Sequence, residues 1–169
     1  MSQRTRTIAN RAVRVVIAAL LAVIAVTHVS VQRRSQADPQ AVLDAVTAQL
    51  DLSLMQQGDT QMVKRLYGVD PADYEFCALW YPVTNMGADE LLLVKLPEGA
   101  DTQALEDGVK ARLETQKTTF EGYGPAQYAL LTEHSVTEPA GNFFLFLVSA
   151  NDEAAVNAFH DALKGGTAK

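Results

Sequence analysis

Seventeen consecutive residues without a charge, Val15 to Val31, constrain this chain more than any other feature. Arg4, Arg6, Arg11 and Arg14 precede the run, and Arg33 and Arg34 follow it. As a helix it rises about 25 Å, slightly less than the roughly 30 Å hydrocarbon layer of a bilayer. The stems of Arg14 and Arg33 can close that gap while their guanidinium heads stay at the interface. A segment of this kind does not belong in the core of a small water-soluble domain. The expectation is a single membrane span.

A cleaved secretory signal shares the basic start and apolar middle, so the exit of the run decides between them. Cleavage needs small residues beside the cut and two positions earlier. The best cuts here pair Thr27 with Ala25, or Ser30 with His28, and neither pair suits. The run is also longer than the ~7–15 apolar residues of a signal peptide. It ends without a cysteine, which closes the lipoprotein route. An uncleaved signal anchor follows. The arginine excess on the N-terminal side keeps that end in the cytoplasm and sends the remainder outside. His28, one turn from the exit with no titratable neighbour in the span, reads as an interfacial residue rather than a proton relay. The expected organisation is a cytoplasmic basic tail over residues 1–14, an anchor over 15–31 and a linker over 32–37. An extracytoplasmic domain over 38–165 and a tail over 166–169 complete it.

Residues 1–36 hold six arginines and no acid; removing them from totals of 14 basic and 20 acidic residues leaves 8 against 20, a formal charge of −12. A domain so acidic repels nucleic acid, which is excluded as a partner. The lone cysteine, Cys77, rules out an intrachain disulfide, so an exported domain must hold together by packing alone. Cys77 lies in the apolar run Glu75 to Tyr81 with no neighbouring histidine, and reads as a small buried hydrophobe.

Element signals are clear along the domain. Asp38-Pro39 opens a helix with Val42, Leu43, Val46 and Leu50 on one face. Asp59 caps a second helix, Thr60 to Tyr67, which Gly68 stops. Asp70 to Asp73 is a turn. Glu75 to Tyr81 and Glu90 to Leu96 read as strands, the first covered on both faces. Asp101 starts the longest helix of the domain, ending near Phe120, and Pro125 restarts a short one through Ala129. Strands follow at about Thr132 to Thr137 and Asn142 to Ser149, joined by a hairpin-length turn. Asn151 caps a last helix carrying Val156, Phe159 and Leu163. The order α-α-β-β-α-β-β-α predicts an α+β domain: a four-stranded, mainly antiparallel sheet with helices stacked mainly on one face.

One constellation stands out. On a helical wheel of the longest helix, Leu105, Val109, Leu113 and Phe120 gather into a single apolar stripe. Arg112 and Gln116 fall on the same side, within the stripe that meets the sheet. A guanidinium buried there needs a carboxylate, because an unpaired buried charge costs several kcal/mol. Glu90, at the head of an otherwise apolar strand, is the first candidate and Glu75 the second. Tyr123 and Tyr128 can bring hydroxyls to the same place. Glu90, Arg112, Gln116 and Tyr123 thus form either a structural buried cluster or a small pocket for an anionic or hydroxyl-bearing ligand.

Other chemistry finds little support. His134 and His160 stand apart from cysteines and from paired carboxylates, so no metal site is expected. The acidic pairs are too few for a calcium loop, and Ser53, Ser135 and Ser149 lack a nucleophile elbow. No cofactor is expected.

The stretches Arg65-Leu66-Tyr67-Gly68-Val69-Asp70, Asn85 to Lys95, Ala111 to Pro125 and Gly141 to Phe146 resemble the bacterial family called domain of unknown function 4358. The resemblance covers about residues 59 to 163. It implies a single-span or lipid-anchored protein of Gram-positive bacteria with one extracytoplasmic domain and no assigned activity. The family's recurring residues correspond here to Glu90, Arg112, Gln116 and Tyr123. The resemblance also implies genes lying beside membrane O-acyltransferases of surface polysaccharides. The expected function is therefore a non-enzymatic accessory or binding module of the envelope, with an envelope protein or wall polymer as partner. The alternative is an enzyme acting on a surface glycan or peptide, linked to polysaccharide O-acylation.

Overall fold

The computed structural model describes residues 34–165. The expected anchor, residues 15–31, lies outside the described residues, as do the basic tail before it and residues 166–169. Among the described residues no helix is long and apolar enough to cross a membrane.

Helix α1 (Pro39–Thr47) begins at Asp38, whose carboxylate accepts from the Gln40 amide, with proline at the first helical position. Strand β1 (Met55–Gln57) precedes helix α2 (Thr60–Tyr67). Asp59 caps α2 by accepting from Met62 N at 2.8 Å, and Gly68 ends it at φ 72°, a left-handed conformation that glycine adopts without strain. A 3₁₀ turn, Pro71–Asp73, leads into the antiparallel strands β2 (Phe76–Pro82) and β3 (Glu90–Lys95). Helix α3 (Gln103–Phe120) and helix α4 (Pro125–Glu133) then carry the chain to β4 (Ser135–Ala140) and β5 (Phe143–Val148). Helix α5 (Asp152–Gly165) closes the described chain.

The sheet has five strands in the order β1-β2-β3-β5-β4, and every pairing is antiparallel. Helices α3 and α4 carry the chain to the far edge, where β4 lies, and β5 folds back to pair with β3. Residues Gly141 and Asn142 make the two-residue turn between β4 and β5, with Gly141 at φ 62°.

The central strands β3 and β5 are buried nearly throughout, and alternation divides their side chains between two cores. Leu92, Val94, Phe144, Phe146 and Val148 pack with Val63 and Tyr67 of α2, Leu105, Val109 and Phe120 of α3, and Leu131 of α4. Leu91, Leu93, Phe143, Leu145 and Leu147 pack on the other side with Val42 and Val46 of α1 and with Ala155 and Phe159 of α5. Each large apolar side chain so buried stabilises the fold by about 1.5–3 kcal/mol relative to exposure.

Several expectations are corrected here. The sheet has five strands rather than four, because β1 pairs Met55 with Pro82 and Gln57 with Trp80. Its three residues carry two exposed glutamines and no alternation, so only its partner reveals it. The helices cover both faces of the sheet rather than mainly one. Continuous apolar runs such as Leu91 to Val94 and Phe143 to Val148 demand cover on each side. Helix α4 also runs past Ala129 to Glu133, and β4 starts correspondingly later, at Ser135.

Residues 34–37, assigned to a linker by sequence, are fastened to the domain. Arg34 pairs with Glu75 at 2.7 Å, and Ser35 N donates to Asn142 Oδ1 at 2.8 Å. The Ser35 hydroxyl donates to the Leu163 carbonyl at 3.2 Å, and Ala37 is buried.

Candidate functional site

Glu90 shares the face of β3 that carries Leu92 and Val94, and is only 1% exposed beneath α2 and α3. Arg112 of α3 reaches it side-on. Its Nε donates to Oε1 at 3.0 Å and to Oε2 at 3.2 Å, and Nη2 donates to Oε2 at 2.6 Å. The Tyr67 hydroxyl, at the end of α2, also donates to Oε1. Two planar groups meeting edge to edge fix both distance and angle between helix and sheet, which a lysine does not do.

The electrostatics follow from this packing. Burial pushes the Tyr67 phenol well above its ordinary range, and the Glu90 carboxylate adds to that. For Arg112, burial works against the charged form, but the hydrogen bonds and charge of Glu90 outweigh it and raise the guanidinium further. Tyr67 thus keeps its proton and Arg112 its charge.

A glycine makes the three-way contact possible. Gly108 lies one turn before Arg112 on α3, and a Cβ built there would overlap the carbonyl oxygen of Tyr67. The two helices can approach only because position 108 has no side chain. Tyr67 additionally packs edge-on to Phe146, with centroids 6.2 Å apart.

Above the pair lies a cleft of about 440 Å³. Arg112, Gln116 and Tyr123 line it, with Arg65 of α2 and with Tyr81 and Asn85 near the end of β2. No carboxylate, histidine or cysteine lines it. The structure therefore brings three of the four sequence-derived residues to one cleft and puts the fourth, Glu90, under its floor.

The hydroxyl on Glu90 comes from Tyr67, not from Tyr123 or Tyr128, which corrects the sequence reading. Tyr123 is 58% exposed with its ring tilted against Phe120, and Tyr128 lines a separate groove with Pro125 and Thr132. Glu75 does not meet Arg112; its oxygens face Arg34 and Lys95 at 2.7 and 3.6 Å. Tyr67 was legible as the last residue of α2, but its hydroxyl's target was not. Arg65 and Asn85 sit in the motif stretches, and Gly108 interrupts a helix on the Arg112 side. Those were the available signals.

Elsewhere, the two described histidines each meet a single carboxylate: His134 Nδ1 is 3.3 Å from Asp152, and His160 Nε2 is 3.0 Å from Glu138. Among the described residues no group of three or more histidine, cysteine, aspartate or glutamate side chains is placed to hold a metal ion. Burial raises the Cys77 thiol to about 11, so the thiolate is scarce at neutral pH.

An antiparallel sheet covered by helices on both faces, with a buried carboxylate pairing an arginine in the wall of an acid-free cleft, defines an α+β domain built around a polar cluster. The model of the family described as Domain of unknown function (DUF4358) matches residues 48–149, more than half of the chain, and the chain belongs to that family. The matched stretch includes Tyr67, Glu90, Gly108, Arg112, Gln116 and Tyr123. No curated protein and no solved structure matches the chain.

Proposed function

We propose that this protein is a membrane-tethered, extracytoplasmic binding module of the cell envelope, and that it engages its partner through the cleft above Arg112. The apolar run Val15 to Val31 and its arginine flanks support the tether and its orientation. The observation that carries the binding reading is the composition of the cleft wall, which offers guanidinium, amide, hydroxyl and aromatic groups and no carboxylate, histidine, lysine, serine or cysteine. The enzymatic alternative places Glu90 on that wall. At 1% exposure, with Arg112 and Tyr67 closing both of its oxygens, Glu90 serves instead to aim Arg112.

A photoreactive amino acid at position 123 of the full chain tests this in intact cells, with position 161 on α5 as the control. A discrete adduct with an envelope protein or wall polymer from position 123 only is the expected result. The same adducts from both positions, or none from 123, contradict the proposal.

A further inference from the structure

Gln116 presents an uncommitted amide to the cleft. It is buried to 9% relative exposure, it lines the cleft, and its amide makes no hydrogen bond among the described residues. Its stem is buried, but its amide atoms, unlike Trp80 Nε1 and Asn142 Nδ2, are not sealed from solvent, so its donors and acceptor are open to whatever occupies the cleft. Its neighbours share the same bias. Arg112 spends Nε and Nη2 on Glu90, which leaves the two N–H groups of Nη1 without a partner among the described residues. Arg65 meets no carboxylate there; its guanidinium bonds only to the sulfur of Met62, at 2.8 Å.

Composition does not explain this wall. The sequence beyond residue 36 carries 20 acidic against 8 basic residues, yet two arginines and no acid line the cleft. Glu90 neutralises Arg112 from below, which leaves Arg65 as one net positive charge facing the space. The hydroxyls of Thr115 and Thr119, also in the wall, donate to the carbonyls of Ala111 and Thr115 at 2.8 Å, so their lone pairs remain as acceptors. Tyr81 and Tyr123 add aromatic surface suited to the C–H face of a sugar or polyol.

Resting on the binding reading above, we propose that the cleft takes a singly charged oxyanion carried on a hydroxylated unit. Arg65, Nη1 of Arg112 and the Gln116 amide hold the charged oxygens, and the threonine lone pairs accept from ligand hydroxyls. The same chemistry has two sources in an envelope polymer, the carboxylate of a hexuronic acid and the phosphodiester of a polyol phosphate.

The test is a titration of the ¹⁵N-labelled full chain in detergent micelles with glucuronic acid, with glycerophosphoglycerol, and with neutral methyl glucoside. The Gln116 side-chain amide and the Arg112 Nε–H signals are followed at low salt, the second serving alone for the variant that lacks Gln116. One or both acids are expected to give a saturable shift at low-millimolar concentration while the glucoside does not, and the acid that binds identifies the source. Arg65→Gln and Gln116→Leu should each weaken that binding by about fivefold or more, and added salt should weaken it further. Neither variant touches the Glu90 pair. Equal binding of the neutral glucoside overturns the oxyanion assignment while leaving a binding cleft. So does the absence of a saturable shift with any probe up to about 20 mM, and the crosslink from position 123 then judges the binding reading separately.

Discussion

Gly108 lies so close to the carbonyl oxygen of Tyr67 that no side chain fits between them. This contact sets the spacing of α2 and α3, and through it the convergence of Tyr67 and Arg112 on Glu90. Alanine has the higher helix propensity by about 1 kcal/mol, so an exposed Gly108 would gain from Gly108→Ala. Here the added methyl meets backbone, and overpacking of this kind costs about 1–3 kcal/mol. Urea unfolding of the full chain in micelles should show the variant less stable than wild type. A more stable variant would mean that the helices stand farther apart.

Tyr67→Phe removes one donor from a buried carboxylate and leaves the ring in place. The expected loss is about 1.5–3 kcal/mol, the range for hydrogen bonds to charged groups. The sign with pH follows from the raised phenol. The folded state favours the protonated form, so this stabilisation is complete below the ordinary tyrosine value of 10.0 and declines as pH rises toward the folded-state value. Wild type should therefore lose more stability than Tyr67→Phe as the pH is taken above about 10. Parallel pH profiles would show that the hydroxyl does not bear on Glu90.

Cys77, with its thiol raised to about 11, should react slowly with iodoacetamide in the native chain at pH 8. Relative to the unfolded chain, thiolate fraction alone predicts labelling roughly a hundredfold slower. The rate should climb with pH throughout the alkaline range. Fast labelling at pH 8, equal in both states, would place the thiol at the surface.

The proposed topology is tested at Asp161, whose side chain is 75% exposed on α5. Asp161→Cys should be labelled by a membrane-impermeant maleimide in intact cells as fully as after lysis. Labelling only after lysis would put the domain on the cytoplasmic side.

Much of this architecture was legible in the residues, and the failures have physical reasons. Asp59 and Gly68 bracket α2 as the capping rules require, because both act within one turn. Arg112 declared its buried position through helical angle alone, and Glu90 its oddity as the one charge opening an apolar strand. Their meeting was predictable because buried opposite charges have few alternatives. Tyr67 was not, since a tyrosine on an apolar helix face satisfies hydrophobicity whether or not its hydroxyl finds a carboxylate. Strand β1 was invisible for a different reason: Met55, Gln56 and Gln57 have no intrinsic preference that identifies a strand, and the edge of β2 recruits them. The cleft itself depends on how α2, α3 and the end of β2 enclose a space, which no local pattern encodes.

The most direct measurement is a double-mutant cycle on Arg112 and Glu90, read as unfolding free energy in the full chain. Arg112→Met leaves a carboxylate sealed under two helices and should cost about 3–5 kcal/mol. Combined with Glu90→Leu it should cost clearly less than the two single losses added together, with a coupling of about 2 kcal/mol or more. Additive losses, or an Arg112→Met variant as stable as wild type, would mean that the guanidinium does not pair with Glu90.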